Sequence, residues 1–366
     1  MSPMNADSNI RRYTRDVVHA SLTARARAMV LIALLVAFTG WPAATAAQST
    51  TRRAAPAFEQ PSRTPSRWFK GNTHSHTLES DGDSPADEVA RWYKSHGYAF
   101  LVLSDHNVFT DPRSLHAITD STFLLIPGEE LTTSFQRKPV HVNGLNIPGL
   151  ITPKTDSTLV GTIQKNVDAV RAVAGVPHVN HPNFGWAFDD VVLAQVKGDR
   201  LLEIFNGHPL VHNYGGGEHR SLEEIWDRLL TGGKRIYGIA VDDAHHFREE
   251  FAPGRSNPGR GWVVVRADSL RSADLLHSLE AGQFYASTGV ELDDVLTGNG
   301  RMEVRIRPRG NFAFRTEFVG RGGRILARST ANPAIYRLRG GEGYVRARVT
   351  DSGGAVAWVQ PVFVAR

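Results

Sequence analysis

Short, uninterrupted apolar runs recur along the chain, and most are followed by a stretch with helical spacing. Residues 98–103, LLEIF from Leu201, IYGIAV from Ile236 and the run 262–265 are too apolar for strands with one wet face. Strands of that kind sit in a sheet covered on both sides. Between them, Ser84, Pro85 and Asp87 open a helix that Gly97 stops. Further helices read over 160–174, 221–230 and 273–279, and further strands end at Ile126, span 141–147 and lie near Val176. This alternation predicts an α/β fold with a mostly parallel sheet, and so many repeats predict that the sheet closes into a barrel over residues 66–295.

The two ends differ from this middle. Five arginines precede the apolar stretch around MVLIALLVAF, and the small residues Ala44-Thr45-Ala46 follow it. That is the pattern of a secretory signal over residues 1–47, its core being shorter than the about 20 residues that span a bilayer. A secreted or periplasmic location follows, with membrane contact only through the export signal. Residues 48–65, rich in Ser, Thr, Arg, Ala and Pro, read as a flexible linker. After residue 296 helical spacing stops. Alternating segments such as MEVRIRP, YVRARV and AWVQPVFV, separated by RGGR, GGEG and DSGG, predict a small antiparallel β domain of sandwich type over 296–366.

Charge and cysteine exclude several functions. Of the net charge of +5, the first 47 residues hold +3, leaving +2 for the remainder. A nearly neutral body offers no footprint for nucleic acid. With no cysteine there is no disulfide, thiolate nucleophile or Cys-based zinc site.

The chemistry is carried by histidine. Fourteen of the 15 histidines follow residue 70, many beside carboxylates at predicted strand ends. In GNTHSHTLESDGD, His74 and His76 are two apart, so both face one side, and Asp81 follows in the turn. Two neutral imidazoles suit Zn, Fe, Mn or Ni. Asp105 and His106 follow the strand LVL, and Glu129 and Glu130 follow Pro127-Gly128. His141 lies within a strand, and His178 and His181, three apart, cannot both point one way from a strand. Asp243 and His245 point together, and Asp242 and His246 face away. Unpaired charge beside a core is costly, and a shared cluster of cations resolves that cost.

The ordered set H-x-H, D-H, P-G-x-E, lone His, H-P and D-x-H resembles the polymerase and histidinol phosphatase (PHP) superfamily, over about residues 68–289. FYASTG, the AWVQP tail and the export signal resemble its carbaryl-hydrolase-like branch. The resemblance implies a distorted seven-stranded β/α barrel with two or three divalent ions (Zn, Mn or Fe). It implies one ion on His74, His76, Glu130 and Asp243, a second on Glu130, His141 and His181, and a third on Asp81, His106 and His245. It selects Glu130 over Glu129 as the bridging ligand and His181 as the H-P ligand.

The expected activity is metal-assisted hydrolysis of a small phosphoester by a bridging hydroxide. Glu130, Asp243 and His245 are the expected catalytic groups, with the third ion, or a protonated group such as His245 or Asp243, assisting the leaving group. Carbamate, ester or amide hydrolysis on the same site is the alternative reaction, and a non-catalytic ligand-binding module the alternative class. Substrate contacts are expected from Arg255, Asn206, His208 and Asn183, with Gly215-Gly216-Gly217 giving freedom to a lid that carries His208, His212 and Tyr214.

Overall fold

The computed structural model describes residues 56–58, 67–249 and 252–364. The signal segment lies outside the described residues, as does the linker apart from 56–58. Residues from Ala54 onward form one compact unit. No helix among the described residues is long and apolar enough to cross a membrane.

Seven strands make the barrel-like wall: β1 (Arg67–Asn72), β2 (Phe100–Leu103), β3 (Leu124–Phe135), β4 (Lys138–Leu145), β5 (Val176–Val179), β6 (Leu201–Asn206) and β7 (Tyr237–Val241). Two more, β8 (Trp262–Ala267) and β9 (Phe284–Ser287), follow in the same sheet. Helices α1 (Ala86–Ser95), α2 (Leu159–Ala172), α3 (Asp190–Leu193), α4 (Leu222–Thr231) and α5 (Ser272–Glu280) fall between them. The fully buried β2, β5 and β7 are the apolar runs of the sequence. Helix α4 opens on a reciprocal capping box between Ser221 and Glu224. Ser84 does not cap α1: Pro85 holds that position, and the Ser84 hydroxyl donates to Asp83 instead.

The sheet is mixed rather than mostly parallel. β1–β2–β3 and β5–β6–β7 pair in parallel, but β3–β4, β4–β5 and β1–β8 are antiparallel. The cause lies in β3, which runs on past Ile126 to Phe135 and turns straight back into β4. Only Gln136 and Arg137 form the turn, with φ of 48° and 66°, the left-handed pair that a two-residue hairpin needs. Gly128 makes the entry possible: a Cβ there would stand 2.4 Å from a Val102 methyl.

Nor does the barrel close. One edge of β1 takes β2 and the other takes β8, so β7 ends the sheet without a strand partner. Two devices cover that edge. At the end distant from the histidines, the Gln360 amide plays the missing strand, accepting from Gly238 N at 2.9 Å and donating to Gly238 O at 2.7 Å. At the histidine end, the chain beyond β1 reaches across: Asp243 N donates to His74 O at 3.1 Å, and His76 N to Ala244 O at 2.9 Å.

The tail is not a separate sandwich. Its strands are β10 (Leu292–Gly298), β11 (Arg301–Ile306), β12 (Phe314–Gly320), β13 (Arg324–Ser329), β14 (Ala334–Arg337), β15 (Tyr344–Asp351) and β16 (Val356–Phe363). β16 pairs with β9, so β16, β15, β12 and β13 prolong the main sheet to 13 strands. β10, β11 and β14 form a second layer, with Met302, Val304 and Tyr336 packed on Phe318, Val345 and Val359.

Candidate metal centre

Glu130 is the hub. It lies inside β3 opposite Asn143 of β4, fully buried, and not at a strand end. His74 and His76 come from the segment after β1, and each sets its Nε2 3.3 Å from Glu130 Oε2. His141 of β4 brings Nδ1 to 2.9 Å from Glu130 Oε1, and His181, past the end of β5, brings Nε2 to 3.5 Å. Asp243 enters from the far side of the seam, its Oδ1 3.2 Å from His74 Nε2 and 3.1 Å from His76 Nε2. Its φ of 48° turns the chain sharply just past β7, a conformation Asp tolerates better than most residues.

The outer part of the site is built on Asp81. His245 Nε2 lies 3.2 Å from Asp81 Oδ1, and His76 Nδ1 3.6 Å from the same atom. His106 Nε2 stands 3.7 Å from Asp81 Oδ2, but its Nδ1 is closer to Glu130 Oε2, at 2.8 Å. His106 thus faces two groups rather than one. Among the described residues, four sets of donor atoms lie close enough to hold ions: His76, Asp81, His106 and His245; His74, His181 and Asp243; His74, His76 and Glu130; and His106, Glu130 and His141.

The donor chemistry fits divalent cations. His74 Nε2, His76 Nε2, Glu130 Oε2 and His141 Nδ1 are buried and face one another without a well-aligned hydrogen bond. Buried polar atoms in native proteins are ordinarily satisfied, and these four converge. Their charges are coupled. Burial would lift the Glu130 carboxyl, but the imidazoles of His74, His141 and His106 hold it well below the usual range. Burial would lower His74, but Asp243, Glu130 and Glu203 hold it well above. Burial, with His245 alongside, pushes His76 down to about 3.

The expected substrate contacts fare differently. Asn206 spends its side-chain N–H groups on Glu203 at 2.8 Å and Asp243 at 3.1 Å, so it braces the site and does not meet solvent. Asn183 donates to the carbonyls of His212 and Arg220, tying down both ends of the loop expected to be a lid. Arg255 pairs with Glu249 at 3.4 Å and reaches His246 at 3.3 Å, a surface arrangement. His208 alone faces the centre, its ring 5.4 Å from that of His245. It shares a groove with Tyr214 and Arg260. Trp186 lies stacked between His212 and His219, at 4.5 and 4.1 Å.

Two residues, Glu203 and Phe184, escape the sequence reading, and Asn180, which VNHPNF offers as a substrate contact, braces the site instead. Glu203, fully buried in β6, accepts from His74 Nδ1 at 2.7 Å. Inside an apolar strand it carries no spacing signal, although a buried acid in LLEIF is itself a flag. Asn180 donates to Glu130 Oε1 at 2.7 Å. Phe184 stands 5.2 Å from the His181 ring and 5.8 Å from that of His208. Asp242, fully buried next to Asp243 in the chain, accepts from Tyr93 Oη, Asn72 Nδ2 and the Arg260 and Gly261 amides, and Asp105 braces the Thr77 turn.

No family model matches the chain, and no curated protein does. Solved structures do resemble it. A two-domain protein from Bacteroides vulgatus containing a predicted PHP-like metal-dependent phosphoesterase is 14% identical, at a TM-score of 0.48, over 80% of this chain and 93% of that one. An amidohydrolase from Chromobacterium violaceum is 14% identical, at a TM-score of 0.37, over 51% of this chain and 93% of that one. A predicted metal-dependent phosphoesterase from Bifidobacterium adolescentis is 14% identical, at a TM-score of 0.36, over 53% of this chain and 91% of that one. At those scores the functional reading rests on the side chains themselves.

Proposed function

We propose that the chain is a multinuclear metal-dependent hydrolase acting on a small phosphoester. The observation that carries this is the convergence of buried imidazole nitrogens on both oxygens of one buried carboxylate, Glu130. His74, His76, Glu130 and Asp243 would hold one ion, Glu130, His141 and His181 a second, and Asp81, His106 and His245 a third. Bound there, divalent ions (Zn, Mn or Fe) supply Lewis acidity and lower the pKa of coordinated water.

The protein's own groups do the rest. His245 donates its Nδ1–H to the Asp243 carbonyl at 2.8 Å, leaving Nε2 toward Asp81 and the open side. With no ion on that outer set, protonated His245 gives its Nε2 proton to the leaving group, with the Asp243 carboxylate beside it stabilising the imidazolium; with an ion held there, His245 serves as its ligand instead. His208 and Phe184 wall the entrance. Arg260, in the groove beside His208, supplies the guanidinium for an anionic substrate that Arg255 does not.

Export through the N-terminal segment to the periplasm or medium belongs to this reading. Metal analysis of protein purified without chelator tests it, coupled to a panel of p-nitrophenyl phosphates, naphthyl carbamates and carboxylic esters. Metal-loaded protein that hydrolyses the phosphates supports the proposal. Turnover confined to carbamates or esters moves the assignment to that reaction, and loaded protein inert to all three classes leaves a binding module.

A further inference from the structure

We infer that Glu203 is the positioning residue that assembles His74, His181 and Asp243 into one ligand set, an inference that rests on the metal-centre reading above. These three residues arrive from three separate parts of the chain, after β1, β5 and β7, and their donor atoms form one of the four compact sets. Glu203 comes from β6 and reaches all three. Its Oε1 lies 2.7 Å from His74 Nδ1. Its Oε2 accepts the His181 main-chain N–H at 2.8 Å and the Asn206 amide at 2.8 Å. That same Asn206 amide nitrogen lies 3.1 Å from Asp243 Oδ2.

The side chain is fully buried, so the arrangement has no water to fall back on. An ionised carboxylate only accepts hydrogen bonds. Facing Glu203, His74 therefore keeps a proton on Nδ1, which makes Nε2, turned toward Glu130 and Asp243, the nitrogen that gives up its proton to a bound ion. His178, whose Nε2 lies 3.1 Å from the same Oε1, stands on the carboxylate's other flank and keeps it from swinging. This explains why two histidines three apart are both buried here: His181 faces the centre, and His178 backs the group that orients it.

A Gln at 203 keeps the shape but can offer an N–H to His74 Nδ1, which favours the wrong tautomer. Losing an outer partner of this kind typically costs about 10–100-fold in metal affinity. The test is Zn²⁺ and Mn²⁺ titration calorimetry on metal-free full-length protein, wild type against E203Q, with the tautomer of His74 read by nitrogen-15 NMR. Expected are loss of the tightest site by about 10–100-fold and loss of the fixed Nδ1–H signal. N206A, which removes the bridge from Glu203 to Asp243 and the acceptor for the His208 main-chain N–H but leaves the Glu203–His74 contact in place, should lose less affinity and keep the His74 Nδ1–H; it also serves if E203Q does not fold.

Unchanged affinity and tautomer in folded E203Q, or an N206A indistinguishable from wild type should E203Q not fold, would overturn the inference. Wild-type protein that binds neither ion removes the metal reading, and the tautomer comparison then still decides whether Glu203 orients His74.

Discussion

At the scale of single residues, the centre depends on carboxylates whose surroundings fix their charge. Glu130→Gln keeps the volume but replaces an anion facing five imidazoles with a neutral amide. Bound metal and turnover should fall together, with turnover down by at least about 100-fold, a loss typical of removing one preorganised charged group; metal analysis beside a phosphatase assay checks this. Away from the centre, Asp199 is buried beside Lys234, 2.8 Å away, and burial pushes its carboxyl up to about 6. The folded state therefore holds the Asp199 proton across a window where the unfolded chain has lost it. Stability contributed by that proton is present below about pH 4 and lost as pH rises to about 6. Urea melts of wild type minus Asp199→Asn should show this loss, on the order of 2 kcal/mol, between those two pH values.

At the scale of elements, α4 is clamped to β15 by charge as well as packing. Arg346, 1% exposed, bonds Asp227 through Nε at 2.8 Å and Nη2 at 2.6 Å, and Glu223 at 2.7 Å. Tyr344 Oη donates to Asp227 at 2.8 Å. Arg346→Ala strands a buried carboxylate and should cost about 3–5 kcal/mol, read as a fall in melting temperature; adding Asp227→Leu should recover part of it. The apolar runs of β2 and β7 are legible because burial on both faces favours apolar side chains throughout, and β5 and β6 depart from that pattern at His178, Glu203 and Asn206, which serve the site. The second half of β3 is not: GEELTTSF is polar, and Gln136-Arg137 lacks the Asn-Gly signature of its turn type. What makes it a strand is its ladder with β4, a partner identified only once the chain has folded.

At the scale of the whole molecule, the tail completes the sheet that holds the centre. β16 covers the edge of β9, and Gln360 covers the edge of β7. A chain ending at residue 291 would expose both, and unpaired edges in water invite aggregation. Such a fragment should be insoluble or lose its ordered circular dichroism. A soluble fragment with a cooperative melt would show the tail to be dispensable.

The order of the histidines and acids along the chain, and the apolar strands that precede most of them, are properties of the sequence. They sufficed to mark His74, His76, Asp81, His106, His141, Asp243 and His245 as candidate ligands, because ligand chemistry is carried by residue type and a strand's period is local; Glu130 over Glu129 and His181 over His178 follow only from the resemblance to the PHP superfamily. Folding alone decided that the barrel stays open at β7, that the tail shares its sheet, that Asn206 and Asn183 brace rather than bind, and that Glu203 stands behind His74. Each of those depends on which distant segment arrives beside which, and no local periodicity encodes that.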